Sequence, residues 1–315
     1  MRKVLIPILF IILASCLFEE KDYLKIGTNV WPGYEPLYLA RELGYFKNVP
    51  IHLVEYSSAS QVLRAYRNKM INGAALTLDE TLLLKDYGFD PVIVLVMDIS
   101  NGADVIIARE GINSVKDLKG KKVGVENTAL GAYVLTRALE KAGLSVNDLE
   151  IIPLEIDEHY IWFKKGKVDA VVTFEPVKSK LLAIGGKVIF DSSQIPGEIV
   201  DVLVVERSYL NENPDVVRSL ISGWFRAVDY MKKNKQEAYK IIVKREKISL
   251  KELENAYKGM IIPDKKMNSE LIYSKNPKLK KVALRLIKIM QEKKILSSEK
   301  FDLDRMFYNE YLAGM

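Results

Sequence analysis

The order of apolar patterns predicts an α/β protein built of two strand–helix units followed by an all-helical tail. Three observations predict it. Short runs rich in Val, Ile and Leu alternate with stretches of helical spacing from Lys25 to Met97. The alternation breaks at Asp98–Gly102 and restarts at Ala103. No strand-like run follows Val205. The 315 residues leave room for two domains of ordinary size, and an apolar share of 49% suffices for a sizeable core.

The first unit is organised around Lys25 to Phe46, KIGTNVWPGYEPLYLARELGYF. Lys25–Thr28 reads as the end of a strand. Pro32 and Gly33 stop regular structure and fix a tight turn. Leu37, Ala40, Leu43 and Phe46 then fall on one helical face, so a helix begins at Pro36. The intervening loop exposes Trp31 and Tyr34 where open parallel sheets bind ligands, outside the carboxyl ends of strands and beside helix N-termini. Two aromatics flanking a Pro-Gly turn suit a flat or apolar-bodied small ligand; the alternative is that they only fold the loop onto the sheet. Val49–Tyr56 is the second strand, and Ser58 caps a helix carrying Val62, Leu63 and Tyr66. Gly73–Leu76 is the third. Thr77 and Asp79 open a helix with Leu82, Leu83 and Tyr87, and Pro91–Met97 is the fourth strand. Short loops in such a series mark a mostly parallel sheet.

The second unit starts with a strand at Ala103–Ala108. Ser114 and Asp117 resemble a capping box ahead of the strand Val123–Val125. Thr128 caps a helix with Leu130, Val134, Leu135, Ala138, Leu139 and Ala142 on one face, and Gly143 stops it. Ile151–Leu154, Asp169–Thr173 and Lys187–Phe190 are further strands, and Ile199–Val205 is the last. In the tail, Asn213-Pro214-Asp215 supplies a cap, a proline at the first helical position and an acid in the first turn. Leu220, Ile221, Trp224, Val228 and Met231 share the face that follows. Lys232–Lys235 reads as a solvated helix end. Ser249 with Glu252 forms a capping box, Leu279 to Met290 mark a long helix, and Asp302 is expected to cap the last one. With no strand of its own, the tail must pack on a half already built.

The first residues are an address. Arg2 and Lys3 precede the apolar Val4–Ala14, a secretory signal pattern too short to span a bilayer comfortably. Cys16, the one cysteine of the chain, follows Leu13-Ala14-Ser15, so no intramolecular disulfide is available. The net charge of +6 falls to +4 without residues 1–15, which hold two cations and no acid, and Lys and Glu are interspersed; no nucleic-acid stripe is present. His52 and His159 stand alone, and no G-x-S-x-G, H-E-x-x-H or Walker loop occurs. No catalytic residue, metal ligand or cofactor is therefore assigned.

Taken together, Leu13–Cys16, WPGYEPLYLARELGYF, SVKDLKGKKVGV, VDAVVTFEPV and the helical tail resemble the bacterial solute-binding proteins of ABC importers, in the nitrate/sulfonate/taurine and thiamine-pyrimidine-precursor group. The resemblance spans nearly all of the chain after Cys16. It implies a type II periplasmic-binding-protein clamp, two α/β lobes with parallel-type sheets joined by crossover strands near Ile99–Asp104 and Glu198–Val202. Residues 1–15 would be a signal peptide and 16–22 a tether lipidated on Cys16. Lobe 1 would hold 23–101 plus 203–315, and lobe 2 102–202. The implied partners are a small-molecule ligand, an ABC permease and the membrane through the lipid, with the protein itself a monomer outside the cytoplasm. The implied ligand contacts are Trp31, Tyr34, Ser57, Ser58, Thr77, Asp79, Asn101, Asn127, Thr128, Thr173, Glu175 and Asp201.

Among these contacts Asp79, Glu175 and Asp201 are acidic and none is basic. Helix N-termini at Ser58 and Thr128 can hold an anion, yet a bare sulfonate gains from a cation and is opposed by carboxylates. Aromatics with carboxylates better suit an amine or an amidine-like heterocycle such as a pyrimidine. The structural alternative is that Asp79 only caps its helix and Asp201 only pins the hinge. A ligand-presenting sensor shares the clamp with a transport protein. An enzyme on this fold is the rival class. The branch that makes the thiamine pyrimidine carries a cysteine-rich motif that this chain lacks, and the menaquinone-pathway relatives are cytoplasmic.

Overall fold

A computed structural model describes residues 23–126, 128–274 and 276–308. The signal and tether segments, Cys16 and Asn127 lie outside the described residues.

The first half runs β1 (Leu24–Asn29), α1 (Glu35–Glu42), β2 (Ile51–Tyr56), α2 (Ala59–Arg67), β3 (Gly73–Thr77), α3 (Leu78–Asp86) and β4 (Pro91–Ser100). The second comprises β5 (Val105–Ala108), β6 (Lys122–Val125), α4 (Ala129–Ala142), β7 (Glu150–Pro153), α5 (His159–Lys164), β8 (Ala170–Thr173), α6 (Val177–Ala183) and β9 (Lys187–Asp191). The chain then returns through β10 (Val200–Glu206) to α7 (Arg207–Glu212), α8 (Pro214–Lys233), α9 (Lys235–Glu246), α10 (Leu250–Lys258), β11 (Met260–Ile261), α11 (Lys265–Leu271) and α12 (Lys278–Glu292).

Two sheets result, ordered β11-β4-β10-β3-β1-β2 and β7-β6-β8-β5-β9. They are mixed, not mostly parallel. β1 pairs in parallel with β2 and β3, and β6 with β7 and β8, as the strand–helix alternation requires. β10 runs antiparallel to β3 and β4, and β5 antiparallel to β8 and β9. The reversals fall on strands that enter a sheet from the other half, where no crossover helix forces a parallel return. The chain passes between sheets twice, from β4 to β5 and from β9 to β10.

The tail differs from expectation in two ways. It has a sheet partner, since β11 pairs with Ile99 and Ser100 at the end of β4, and Phe307 bridges to Ile93. Asp302 caps no helix; the closing turn is a short 3-10 segment, Asp304–Met306, preceded by Leu303. Asn213 stands before α8 without a side-chain capping bond. Lys232 and Lys233 end α8 whereas Lys235 starts α9. Helix α1 stops at Glu42, earlier than its apolar spacing suggests, because Gly44 turns left-handed at φ 73°. Among the described residues no helix is long and apolar enough to cross a membrane.

Candidate ligand-binding cleft

The cleft lies where the strand ends of the two sheets face each other. Its wall is Asn29, Trp31, Tyr34, Ala59, Thr77, Glu80, Asp104, Glu126, Leu130, Phe174 and Asp201, around about 330 Å³ of space free of atoms, part of it open solvent. Asn29 ends β1, Thr77 ends β3, Phe174 follows β8, and Ala59, Glu80 and Leu130 stand in the first turns of α2, α3 and α4. A ligand there meets strand ends and helix starts from both halves.

The halves are shut on each other. Ser60 of α2 donates its backbone N–H to Glu126 (3.0 Å) and its hydroxyl to Glu155 (2.5 Å), both beyond the crossing. Trp31 meets Phe174 edge to face, ring centres 5.4 Å apart. Glu198, buried ahead of β10, accepts from Tyr133 (2.6 Å) and Arg137 (2.8 Å) of α4 and pairs with Arg285 of α12 at 2.6 Å. Lys293 reaches Glu140 at 2.7 Å.

Trp31 and Tyr34 are not exposed, as the loop pattern suggested, but buried. The segment Pro32–Tyr34 winds into one 3-10 turn that lays Trp31 against the outgoing strand β4 and Tyr34 against the return strand β10. Trp31 Nε1 donates to Asp98 (2.8 Å) and the Tyr34 hydroxyl to Asp201 (2.5 Å). Gly33 is obligatory, because a Cβ there would stand 1.9 Å from Asp98 Oδ2 and 2.3 Å from Trp31 Nε1. Tyr257 of α10 donates its hydroxyl to the Pro32 carbonyl (3.1 Å), so the tail supports the loop from behind.

Among the described residues the wall holds four carboxylates, Glu80, Asp104, Glu126 and Asp201, and no lysine, arginine or histidine. Burial raises each: Asp104 to about 6, Glu126 to about 7 and Glu80 to about 8, with Asp79 adding to the last by repulsion. Asp201 is raised well above the carboxylate range by burial and then by Asp98. Two of the four also occupy helix N-termini. Glu126 accepts from Ser60 N in the first turn of α2, and Glu80 closes the capping box of α3 by accepting from Thr77 N (3.1 Å). An oxyanion would need those positions, and the protein's own carboxylates fill them. Glu80 Oε1 and Thr77 Oγ1 are buried without a partner. Among the described residues no group of His, Cys, Asp or Glu is arranged to hold a metal ion.

Of the residues singled out in the sequence, Trp31, Tyr34, Thr77 and Asp201 line the cavity. Ser58 and Thr128 are N-caps just outside the wall, accepting from Gln61 N and Gly131 N (3.3 Å each). Asp79, Thr173 and Glu175 are buried beside it, and Glu175 accepts from Ser179 N and Oγ. Ser57 and Asn101 stand off this wall. Ser57 is exposed and accepts from Gln61 Nε2 (2.6 Å), and Asn101 is exposed with its backbone N–H on the Gly259 carbonyl (2.7 Å). Glu80, Asp104, Glu126, Asn29, Ala59, Leu130 and Phe174 were not anticipated. Glu80 and Phe174 adjoin the flagged Asp79 and Thr173; the rest carry no sequence signal of their own.

Two sheets joined by a double crossing, with a cavity between strand ends of both halves, define the α/β two-sheet periplasmic-binding-protein fold. Within it, the chain belongs to the NMT1-like family, whose model matches residues 18–245. The structure superposes on the periplasmic aliphatic sulphonate binding protein SsuA of Escherichia coli with a TM-score of 0.74, at 21% identity, over 92% of this chain and 99% of that one. A Bacillus subtilis protein named for aliphatic-sulfonate binding is 26% identical over 270 residues, 81% of each chain. A Brucella abortus protein named only as a binding protein is 29% identical over 161 residues; the match spans 50% of this chain and half the length of that relative.

Proposed function

We propose that the protein is the solute-binding component of an ABC importer and captures a small nitrogen-bearing ligand, cationic or rich in N–H donors, between two lobes. The observation that carries this reading is the wall of four buried carboxylates with no cation among the described residues, two of the four already seated on helix N-termini. A cation or an amidine-like heterocycle supplies the charge and donors that this wall lacks, and Trp31, Tyr34 and Phe174 supply flat apolar faces. A sulfonate-type ligand, as the names of several relatives suggest, is the alternative; it would find no cation in this wall and would have to accept from carboxyls that burial keeps protonated. The reading is capture rather than conversion, with an enzyme on the same fold as the rival class. In the same reading residues 23–101 with 203–315 form lobe 1 and 102–202 lobe 2. Residues 1–15 are then a signal peptide, and Cys16 carries the lipid that holds the protein at the membrane outside the cytoplasm. A ligand-presenting sensor would use the same clamp.

Titration calorimetry with an aminopyrimidine, a primary amine and an alkanesulfonate tests the ligand class. Heat from a nitrogen ligand, with a larger signal above neutral pH, is the expected result. Tight sulfonate binding that is indifferent to Glu80→Gln would end the nitrogen reading. Mass spectrometry of whatever copurifies would name the ligand.

A further inference from the structure

β4 and β10 are the strands through which the chain leaves the first sheet and returns to it, so any hinge motion bends them. Asp98 and Asp201 are register partners on these antiparallel strands, with an irregularity directly after Asp201. Register partnership sets the two carboxyls side by side, both buried, and Asp98 Oδ1 is buried without a hydrogen-bond partner. Two carboxyls so close in a buried site cannot both ionise at little cost, so one proton is held between them. The remaining oxygens hold the aromatic turn, Oδ2 of Asp98 taking Trp31 Nε1 and Oδ1 of Asp201 taking the Tyr34 hydroxyl. Only Asp201 lines the cavity; Asp98 is fully buried behind it.

We propose that Asp98 and Asp201 form an acid pair sharing one proton, and that Asp98 is a positioning residue that fixes Trp31 and Tyr34 to the hinge strands without touching ligand. The pair makes the turn part of the hinge, so that bending β4 and β10 moves the aromatic wall with them. The ligand contacts of Trp31, Tyr34 and Asp201 rest on the function proposed above; the acid pair itself does not.

The groups that face the pair are mostly acidic. Asp104 stands in the crossing, Glu80 on α3, and Tyr257 on α10, while Lys178 of α6 acts on Asp104. Burial, together with repulsion from Asp104, carries Asp98 up to about 7 despite the bond from Trp31. Asp201 is raised as well, by burial and by Asp98, so the pair keeps its last proton well above the ordinary carboxylate range; once that proton leaves, two like charges face each other across the strands and the turn loosens.

The indole N–H signal of Trp31, assigned by comparison with Trp31→Phe in nitrogen-15 NMR spectra of the full chain, reads the pair directly. The signal is expected to titrate near neutrality in the parent protein. In Asp98→Asn the amide oxygen still accepts from Trp31, so the signal stays hydrogen-bonded but stops titrating near neutrality. In Asp98→Leu it moves to a position without an acceptor. An unchanged titration in Asp98→Asn, or none in the parent, overturns the proposal; these two proteins decide it even where Asp98→Leu does not fold. The readout needs no ligand, so it stands or falls separately from the ligand class.

Discussion

Glu80 shows how much rests on one residue. It stands at the third position of α3, 1% exposed, in the cavity wall, with one oxygen in the capping box and the other buried and unpaired. Its ordinary value of 4.5 is lifted to about 8 by burial and then by Asp79. Between those values the folded empty protein holds a proton that the unfolded chain has released. Stability from this group is therefore present at low pH and lost as pH rises from 4.5 towards 8. Glu80→Gln keeps the capping acceptor and removes the titration. Its melting temperature should fall less over that window than the parent's in calorimetric scans, while affinity for a cationic ligand should drop about tenfold or more through loss of a charged hydrogen bond. The sequence put Asp79 forward and passed over Glu80. Both follow Thr77, and which of two adjacent helical positions faces a cavity depends on how the helix is rotated on its sheet.

At the scale of elements, the caps and stops were legible because they are local. Ser58, Thr128 and Ser249 accept backbone N–H groups from the third residue on, and Gly143 turns left-handed to end α4. How the tail docks was not. Arg245 of α9 donates to Glu35 of α1 and Glu55 of β2 (2.8 and 2.5 Å), and stacks 3.9 Å over Tyr38. It thereby fastens the tail to the helix that follows the ligand turn. Glu35 is 1% exposed, so Arg245→Ala leaves a buried carboxylate without its cation and should cost about 3–5 kcal/mol in denaturant unfolding. A loss under about 1 kcal/mol would mean that water replaces the arginine.

For the molecule as a whole, the informative contact is far from the ligand. Glu198 precedes β10 and holds Arg137 of one half and Arg285 of the other. Glu198→Gln removes the charge that lets these two arginines share a neighbourhood, and it touches no cavity residue. Closure should weaken by about 1–3 kcal/mol, visible as a larger radius of gyration in solution scattering and a weaker ligand affinity. A variant with unchanged scattering and affinity would show that the Ser60 contacts and the Trp31–Phe174 edge suffice to close the clamp.

The strand–helix order up to β10, the caps at Ser58, Thr128 and Ser249, the break near Asp98 and the aromatic turn at Trp31 were set by the sequence alone, since each rests on periodicity or on residues within one turn of each other. The tertiary structure alone decided that β5 and β10 run antiparallel, that Trp31 is buried on Asp98, and that Glu80, Asp104 and Glu126 meet in one cavity. Those outcomes depend on contacts between residues distant in sequence, where long-range packing and burial, not local propensity, choose the partner.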